Sequence, residues 1–441
     1  MIPDMSAFLV IAALIIMVTM HELGHFLAAR WVGIRATKFY LFFPPAIWKR
    51  KVGEVEYGVG SIPLGGFVRL PGMFRPVVED VYYRLQPQMD RIHQATGDAD
   101  LQLELAAASR AIAEAHDPDE LHDELLAFSS LLDRALLVEV SPVGPMEGAD
   151  SAAFRTAVRR LQVRVIDAAD DAHPAAYWRA DLWRRMTVIA AGPLVNFVLA
   201  VVVFMLGWMF YAPVERMSHL EIKSVTAKSA AAQAGIHDGD QVLEWGGETI
   251  RNKSGRHISD RIDSTRGKPV VLRVKAPGEA ARDVRLQPTD IDGKKLIGVT
   301  LDGRSRIEHE RRSVVEAWSL TWADVRGVTS GTFDALSRIL DPEVRKQFSS
   351  VAGIVIQAED VDHAGQMVRY LAMISLALAL FNILPLLPLD GGHLLFGLIE
   401  WMRRGKPVPR AVFERFAMVG LALVLLLFAI GLRNDIAGLG A

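Results

Sequence analysis

Four stretches of this chain carry no charged side chain: residues 5–20, 186–214, 370–389 and 416–432. A bilayer span needs ~20 largely apolar residues, with a range of ~17–25. The second and third stretches meet that length outright, and the fourth sits at its lower limit. The first reaches it only by continuing through His21, Glu22 and His25 to about Arg30. It opens Met1-Ile2-Pro3-Asp4 with no basic leader, and no small-residue cleavage site follows, so a span is expected rather than a signal peptide. Backbone polar groups in lipid are satisfied only within helices or closed barrels. The chain is therefore expected to be a polytopic α-helical membrane protein with four transmembrane helices. Charged residues still make up 23% of it, too many for spans alone, so polar domains must lie between them. A net charge of −2 excludes a strongly basic nucleic-acid binder.

Basic residues near span ends set the orientation. Arg30, Arg35 and Lys38 follow the first span, Arg179, Arg184 and Arg185 precede the second, and Arg403, Arg404, Lys406 and Arg410 separate the third from the fourth. These flanks are expected to be cytoplasmic, with both termini and residues 215–369 outside.

The first span is assigned to residues 1–30. Residues 31–75 follow, where 54–59 alternate and 62–70 resume after glycine breaks, as in a membrane-associated β-hairpin. Residues 76–180 read as a helical cytoplasmic insertion, broken at Asp117-Pro118 and at 141–145. With 19 acidic residues, 9 arginines and no lysine it carries −10, leaving +8 on the remainder. A second span at 181–213 leads to residues 214–302, where short apolar stretches alternate with turn signals such as Gly235 and Asp238-Gly239-Asp240. The segment 229–240 resembles the small helix and turn of a PDZ domain, giving an α+β extracytoplasmic unit. Amphipathic connecting helices at 303–365, a third span at 366–392, a loop at 393–412 and a fourth span at 413–433 complete the order.

His21-Glu22-Leu23-Gly24-His25 is an H-E-x-x-H motif. Positions i and i+4 share a helix face, so both imidazoles can reach one zinc ion, and Glu22 can serve as general base. Ionisable groups inside a span are costly, at least ~2.5 kcal/mol for a charge near the bilayer centre, which favours function over packing. The chain has no cysteine, so any further ligand is His, Asp or Glu. Residues 382–393 contain Asp390 and His393. Asp390 is the preferred third ligand because two histidines and a carboxylate form a common hydrolytic set, and His393 remains a rival. The orientation agrees: the first and third spans both run inward and carry these residues near their inner ends. Pro385, Pro388, Gly391 and Gly392 should unwind the helix there, which lipid tolerates only beside a cavity or within protein.

The H-E-L-G-H sequence in the first span, Leu389-Asp390-Gly391 in the third and 192–196 in the second resemble the site-2 protease family of intramembrane zinc metalloproteases. Residues 62–68, the PDZ-like segment and Leu394-Leu395-Phe396 are similar to its bacterial, regulator-of-sigma-E protease-like branch. The resemblance covers the spans and the outer domain, not residues 76–180. It implies a Zn2+ cofactor held by His21, His25 and Asp390, with Glu22 as catalytic base. It further implies substrate or oxyanion contacts from Asn382, with Asn196, Gly65 and Gly66 on the substrate path. The hairpin would be a re-entrant β-loop that pairs with the substrate strand. The implied partners are the lipid bilayer and single-span membrane proteins, either anti-sigma-type regulators or signal-peptide remnants, in a bacterial inner membrane. Two departures stand out: Leu387 occupies the place of the family's second proline, which follows as Pro388, and one PDZ-like segment is present rather than two. The rival readings are a catalytically inactive membrane scaffold or PDZ adaptor, which would have no use for Glu22, and a metal transporter, in which Glu22 would be a ligand.

Overall fold

The computed structural model describes residues 3–137, 151–251, 253, 255–291, 294–339, 341–345, 350–358, 361 and 364–438. Among these residues it is mostly helical, with four helices long and apolar enough to cross a membrane. The chain divides into two compact units. One holds residues 1–201, 325–362 and 370–441, and the other holds 202–324 and 363–369.

In the first unit, α1 (Pro3–Val32) is one continuous helix, so the apolar run does extend through the motif. The hairpin is formed by β1 (Lys38–Val52) and β2 (Val55–Arg69), turning where Gly53 adopts φ +62°. Val52 opposes Val55, and Ala46 opposes Gly60. Phe39 is registered with both Tyr57 and Val68, so the start of β1 lies between the two halves of β2. The sequence suggested a hairpin folded within 54–70. Instead the preceding segment supplies the partner strand, with the cis Pro44–Pro45 peptide inside it. Phe43, Ile47, Trp48 and Ile62 are exposed along its far end.

The described residues of the insertion form four α-helices: α2 (Val78–Ala95), α3 (Ala99–Glu114), α4 (Pro118–Ala135) and α5 (Ser151–Ala172). Asp98 and Asp117 cap α3 and α4, each accepting two backbone N–H groups of the first turn. Asp117-Pro118 is thus a helix start, with proline at the position where a missing N–H is harmless. On α4, Leu121, Leu125, Phe128 and Leu132 recur at helical spacing and are buried against Phe154, Val158, Leu161 and Val165 of α5. The expected break at 141–145 lies outside the described residues.

A second span-length helix, α6 (Leu182–Tyr211), begins in this unit and runs into the other. There β3 (Ala212–Val225), α7 (Ala230–Gln233), β4 (Gln241–Trp245), β5 (Glu248–Thr249), α8 (Gly255–Ser264), β6 (Val270–Lys275), β7 (Arg282–Leu286), β8 (Thr289–Ile291), β9 (Lys294–Leu296) and β10 (Val299–Glu310) follow. The main sheet has the order β10-β3-β4-β6-β7, with β5 beside β4. Ile222, Trp245, Leu272 and Val274 form its core. Asp238 accepts the Val225 N–H (2.8 Å) and Asp240 the His237 N–H (3.1 Å), which fixes the turn read from the sequence. β10 stays paired with β3 as far as Glu310, where helix was expected from 303.

The connecting helices are α9 (Val314–Ser337), α10 (Pro342–Arg345) and α11 (Val351–Gln357). Within the second unit, Asp324 of α9 accepts from Trp208 Nε1 and from Arg369 Nη2, both at 2.8 Å. Arg369 also stacks 4.4 Å above the Trp208 ring. The third span helix α12 (Ala364–Ile383) stops at a non-helical segment, 384–389. α13 (Asp390–Met402) then occupies much of the stretch expected as a loop, because basic residues appear only from Arg403. α14 (Arg410–Gly438) is the fourth span helix.

Candidate active site

The motif lies on the inward face of α1, with His21 and His25 both buried. Their exposure to α6 depends on small residues. A Cβ on Gly24 would stand 2.7 Å from the Ala191 carbonyl oxygen, and one on Gly192 would overlap His25 Nε2 and lie 2.8 Å from His21 Cε1. Two missing methyl groups therefore let α6 pass directly over the histidines. His25 Nδ1–H donates to the Val188 carbonyl at 2.8 Å. A carbonyl can only accept, so the neutral ring has its lone pair on Nε2.

Asp390 comes from the far end of the chain. Pro385 and Pro388 lack the N–H groups a continuing helix needs, and α12 ends ahead of them. Short turns from Leu384 to Phe381 and from Leu389 to Leu386 carry the chain across, and the Leu387–Pro388 peptide is cis. The helix restarts with Asp390 in its first turn. α13 is tied back to α6 by the largely buried Arg185–Glu400 pair, with Nη1–Oε2 at 3.1 Å.

Asp390 Oδ2 lies 3.1 Å from His21 Nε2 and 3.4 Å from His25 Nε2, and the two Nε2 atoms are 3.2 Å apart. These three atoms form the one cluster among the described residues able to hold a metal ion. A tetrahedral zinc with ligands at ~2.0–2.1 Å places its donors about 3.3 Å apart. The observed triangle matches that spacing. Asp390 Oδ2 is also buried without a hydrogen-bond partner, which suits an atom whose partner is an ion.

The remaining residues singled out from the sequence lie at different distances from this centre. Glu22 is half-buried on α1, and β2 crosses it so closely that a Cβ on Gly66 would overlap its Cγ. Gly65, at φ +151°, faces the Phe43 ring instead. Asn196 is buried on α6, where its backbone carbonyl accepts the Ser375 hydroxyl of α12 at 2.8 Å and its side-chain oxygen has no partner. Asn382 is half-buried in the last turn of α12. His393 packs on Phe413, with ring centroids 5.2 Å apart, and is not part of the donor cluster. Gly192 and the Val188 carbonyl complete the site without being singled out as site residues by the motifs. Gly192 was visible as a glycine inside an apolar run, whereas a backbone acceptor leaves no mark in sequence.

Similarity to known proteins agrees with this geometry. The model of peptidase family M50 matches residues 9–427. The chain is 28% identical over 429 residues to zinc metalloprotease RasP of Geobacillus kaustophilus, covering 95% of each protein. It is 27% identical over 448 residues to the regulator of sigma-W protease RasP of Bacillus subtilis, covering 97% of this chain and 98% of the relative. A chloroplast membrane metalloprotease of Arabidopsis thaliana, ARASP, is 26% identical across 95% of this chain and 75% of its own length. With a family model spanning nearly its whole length and a donor triangle of zinc dimensions between its apolar helices, the chain belongs to peptidase family M50, as a zinc metalloprotease of the site-2 type.

Proposed function

We propose that His21, His25 and Asp390 hold the zinc ion and that Glu22 is the general base for hydrolysis of a peptide bond in or near a substrate's membrane span. The observation that carries this reading is the 3.1–3.4 Å triangle of donor atoms. Zinc held there would supply Lewis acidity, acidifying the attacking water and polarising the substrate carbonyl. Glu22 takes the proton from the attacking water and delivers it to the leaving amine. The Val188 carbonyl holds His25 in the tautomer that presents Nε2. Asn382 donates a hydrogen bond to the developing oxyanion, and Asn196 contacts the substrate from α6.

A transmembrane helix hides its carbonyls in its own hydrogen bonds, so the substrate must unwind before it is cut. Strand addition to the β2 edge at Gly65 and Gly66 would satisfy the exposed backbone. The orientation set by the basic flanks puts the hairpin and insertion in the cytoplasm and the termini outside, in a bacterial inner membrane. Residues 214–302 act as a PDZ-like gate outside. A groove of about 300 Å³ between α8 and the start of β10, lined by Ile262, Thr265, Ile297 and Val299, supports that assignment. Substrates are single-span proteins, either anti-sigma-type regulators, by analogy with the relative named for sigma-W, or signal-peptide remnants.

Glu22→Gln should keep stoichiometric zinc and lose cleavage of a single-span reporter; a normally active Glu22→Gln enzyme refutes the base assignment. Zinc analysis of Asp390→Ala beside His393→Ala tests the third ligand. Zinc should be lost only from Asp390→Ala, and the opposite result transfers the role to His393.

A further inference from the structure

One helix end grips both ends of the hairpin. Asp167, Asp170 and Asp171 of α5 stand at i, i+3 and i+4 and so share a face. Facing them are Arg35, just before β1, Lys38, its first residue, and Arg69, the last residue of β2. Arg35 Nη2 lies 3.3 Å from Asp170 Oδ1, and Lys38 Nζ 3.6 Å from Asp167 Oδ1. Arg69 pairs with Asp167, donates to the Asp167 carbonyl at 3.2 Å and comes within 3.7 Å of Asp171. Backbone contacts reinforce the charges. Gly72 N–H donates to Asp171 Oδ1 (2.9 Å), and Arg35 N–H donates to the Ala175 carbonyl (2.9 Å).

An isolated surface ion pair is worth little. This is a network in which Arg35, Arg69 and Asp170 are each four-fifths or more buried at the side chain. Its position matters more than its strength. Arg69 is three residues from Gly66, about 10 Å along a strand at ~3.3 Å per residue. Over that distance β2 is laddered to β1, with Phe39 opposite Val68 and Leu41 opposite Gly66. Gly66 in turn lies on Glu22. A displacement of α5 is thus passed along a short, paired strand to the side chain proposed as base.

We propose that the acidic face of α5 is a positioning device for proteolysis: it sets the register of the β2 edge against Glu22 and so selects which substrate bond reaches the catalytic centre. The proposal rests on the reading of β2 as the edge that pairs with substrate. The chain contains no cysteine, so both can be tested by single-cysteine cross-linking in the full-length protein. Ser61 is exposed on β2. Ser61→Cys in the Glu22→Gln background should form a disulfide with one position of a single-cysteine substrate series. Absence of any cross-link overturns the edge reading and the proposal with it.

Asp167→Arg, with Glu22 intact, should lower the cleavage rate at least about tenfold, and mass spectrometry should find neighbouring bonds cut as well. In the cross-linking background it should spread the cross-link over adjacent substrate positions. The exchange Arg69→Asp with Asp167→Arg should recover part of the rate and narrow the cut and the cross-link again, the rest being held back because Lys38 and Asp171 then face like charges. A clear cross-link in Ser61→Cys that does not move in Asp167→Arg, with the same bond cut, overturns the proposal alone. So does a lost rate that the exchange does not raise at all.

Discussion

Gly192 decides whether α6 can lie over the two histidines. Replacing it with alanine keeps the helix, since alanine is the best helix former, but puts a methyl group where His25 Nε2 stands. Gly192→Ala should therefore weaken zinc binding about 10–100-fold, the range expected when the support of a ligand is disturbed. Competition with a chelator measures it, and an unchanged affinity would show that α6 yields instead. The residues with a chemical signature are legible in the sequence itself: the spacing of His21 and His25 predicts their shared face, and a chain without cysteine narrows the third donor to a few candidates. The choice between Asp390 and His393 is not legible from spacing alone. It turns on where the helix restarts, and α13 begins with Asp390 towards the histidines and His393 towards Phe413.

Among the elements, helices are easier to read than the hairpin. An apolar run or a four-residue spacing is local, whereas β1 contains Pro44-Pro45, which ordinarily argues against a strand. It becomes one because the sequence after the turn at Gly53 offers it a partner. The junction between hairpin and insertion also predicts a pH response. His173, just past α5, accepts the Ala175 N–H at Nδ1 (2.9 Å), while Arg35 lies 3.2 Å from its Nε2 and His122 stacks on its edge. Burial, then the Arg35 guanidinium and the neighbouring His122 ring, hold its pKa below the ordinary 6.5. A histidine with a lowered folded pKa adds stability that is complete above about pH 6.5 and is lost as pH falls from there through the folded pKa. The melting temperature should thus drop between pH 7 and 5, and His173→Gln should drop less. Equal slopes would remove His173 from the account.

At the scale of the molecule, the acidic insertion and the β-rich segment are separate cores, α2–α5 in one unit and β3–β10 in the other. If the β-rich segment is the gate, deleting residues 217–300 should raise cleavage of substrates that still carry a folded outer domain relative to trimmed ones. An unchanged ratio would leave it without that role. The division into spans and polar domains is legible because charge and hydropathy segregate along the chain; the attachment of α5 to the hairpin is not, since it joins residues about a hundred positions apart through side chains that read as ordinary surface charge. The donor triangle has a still longer reach. Asp390 follows His25 by 365 residues. At ~5–20 residues per second of synthesis, the two histidines wait on the order of 20–70 s for their partner. The donor triangle is therefore complete only after three of the four span-length helices have been made.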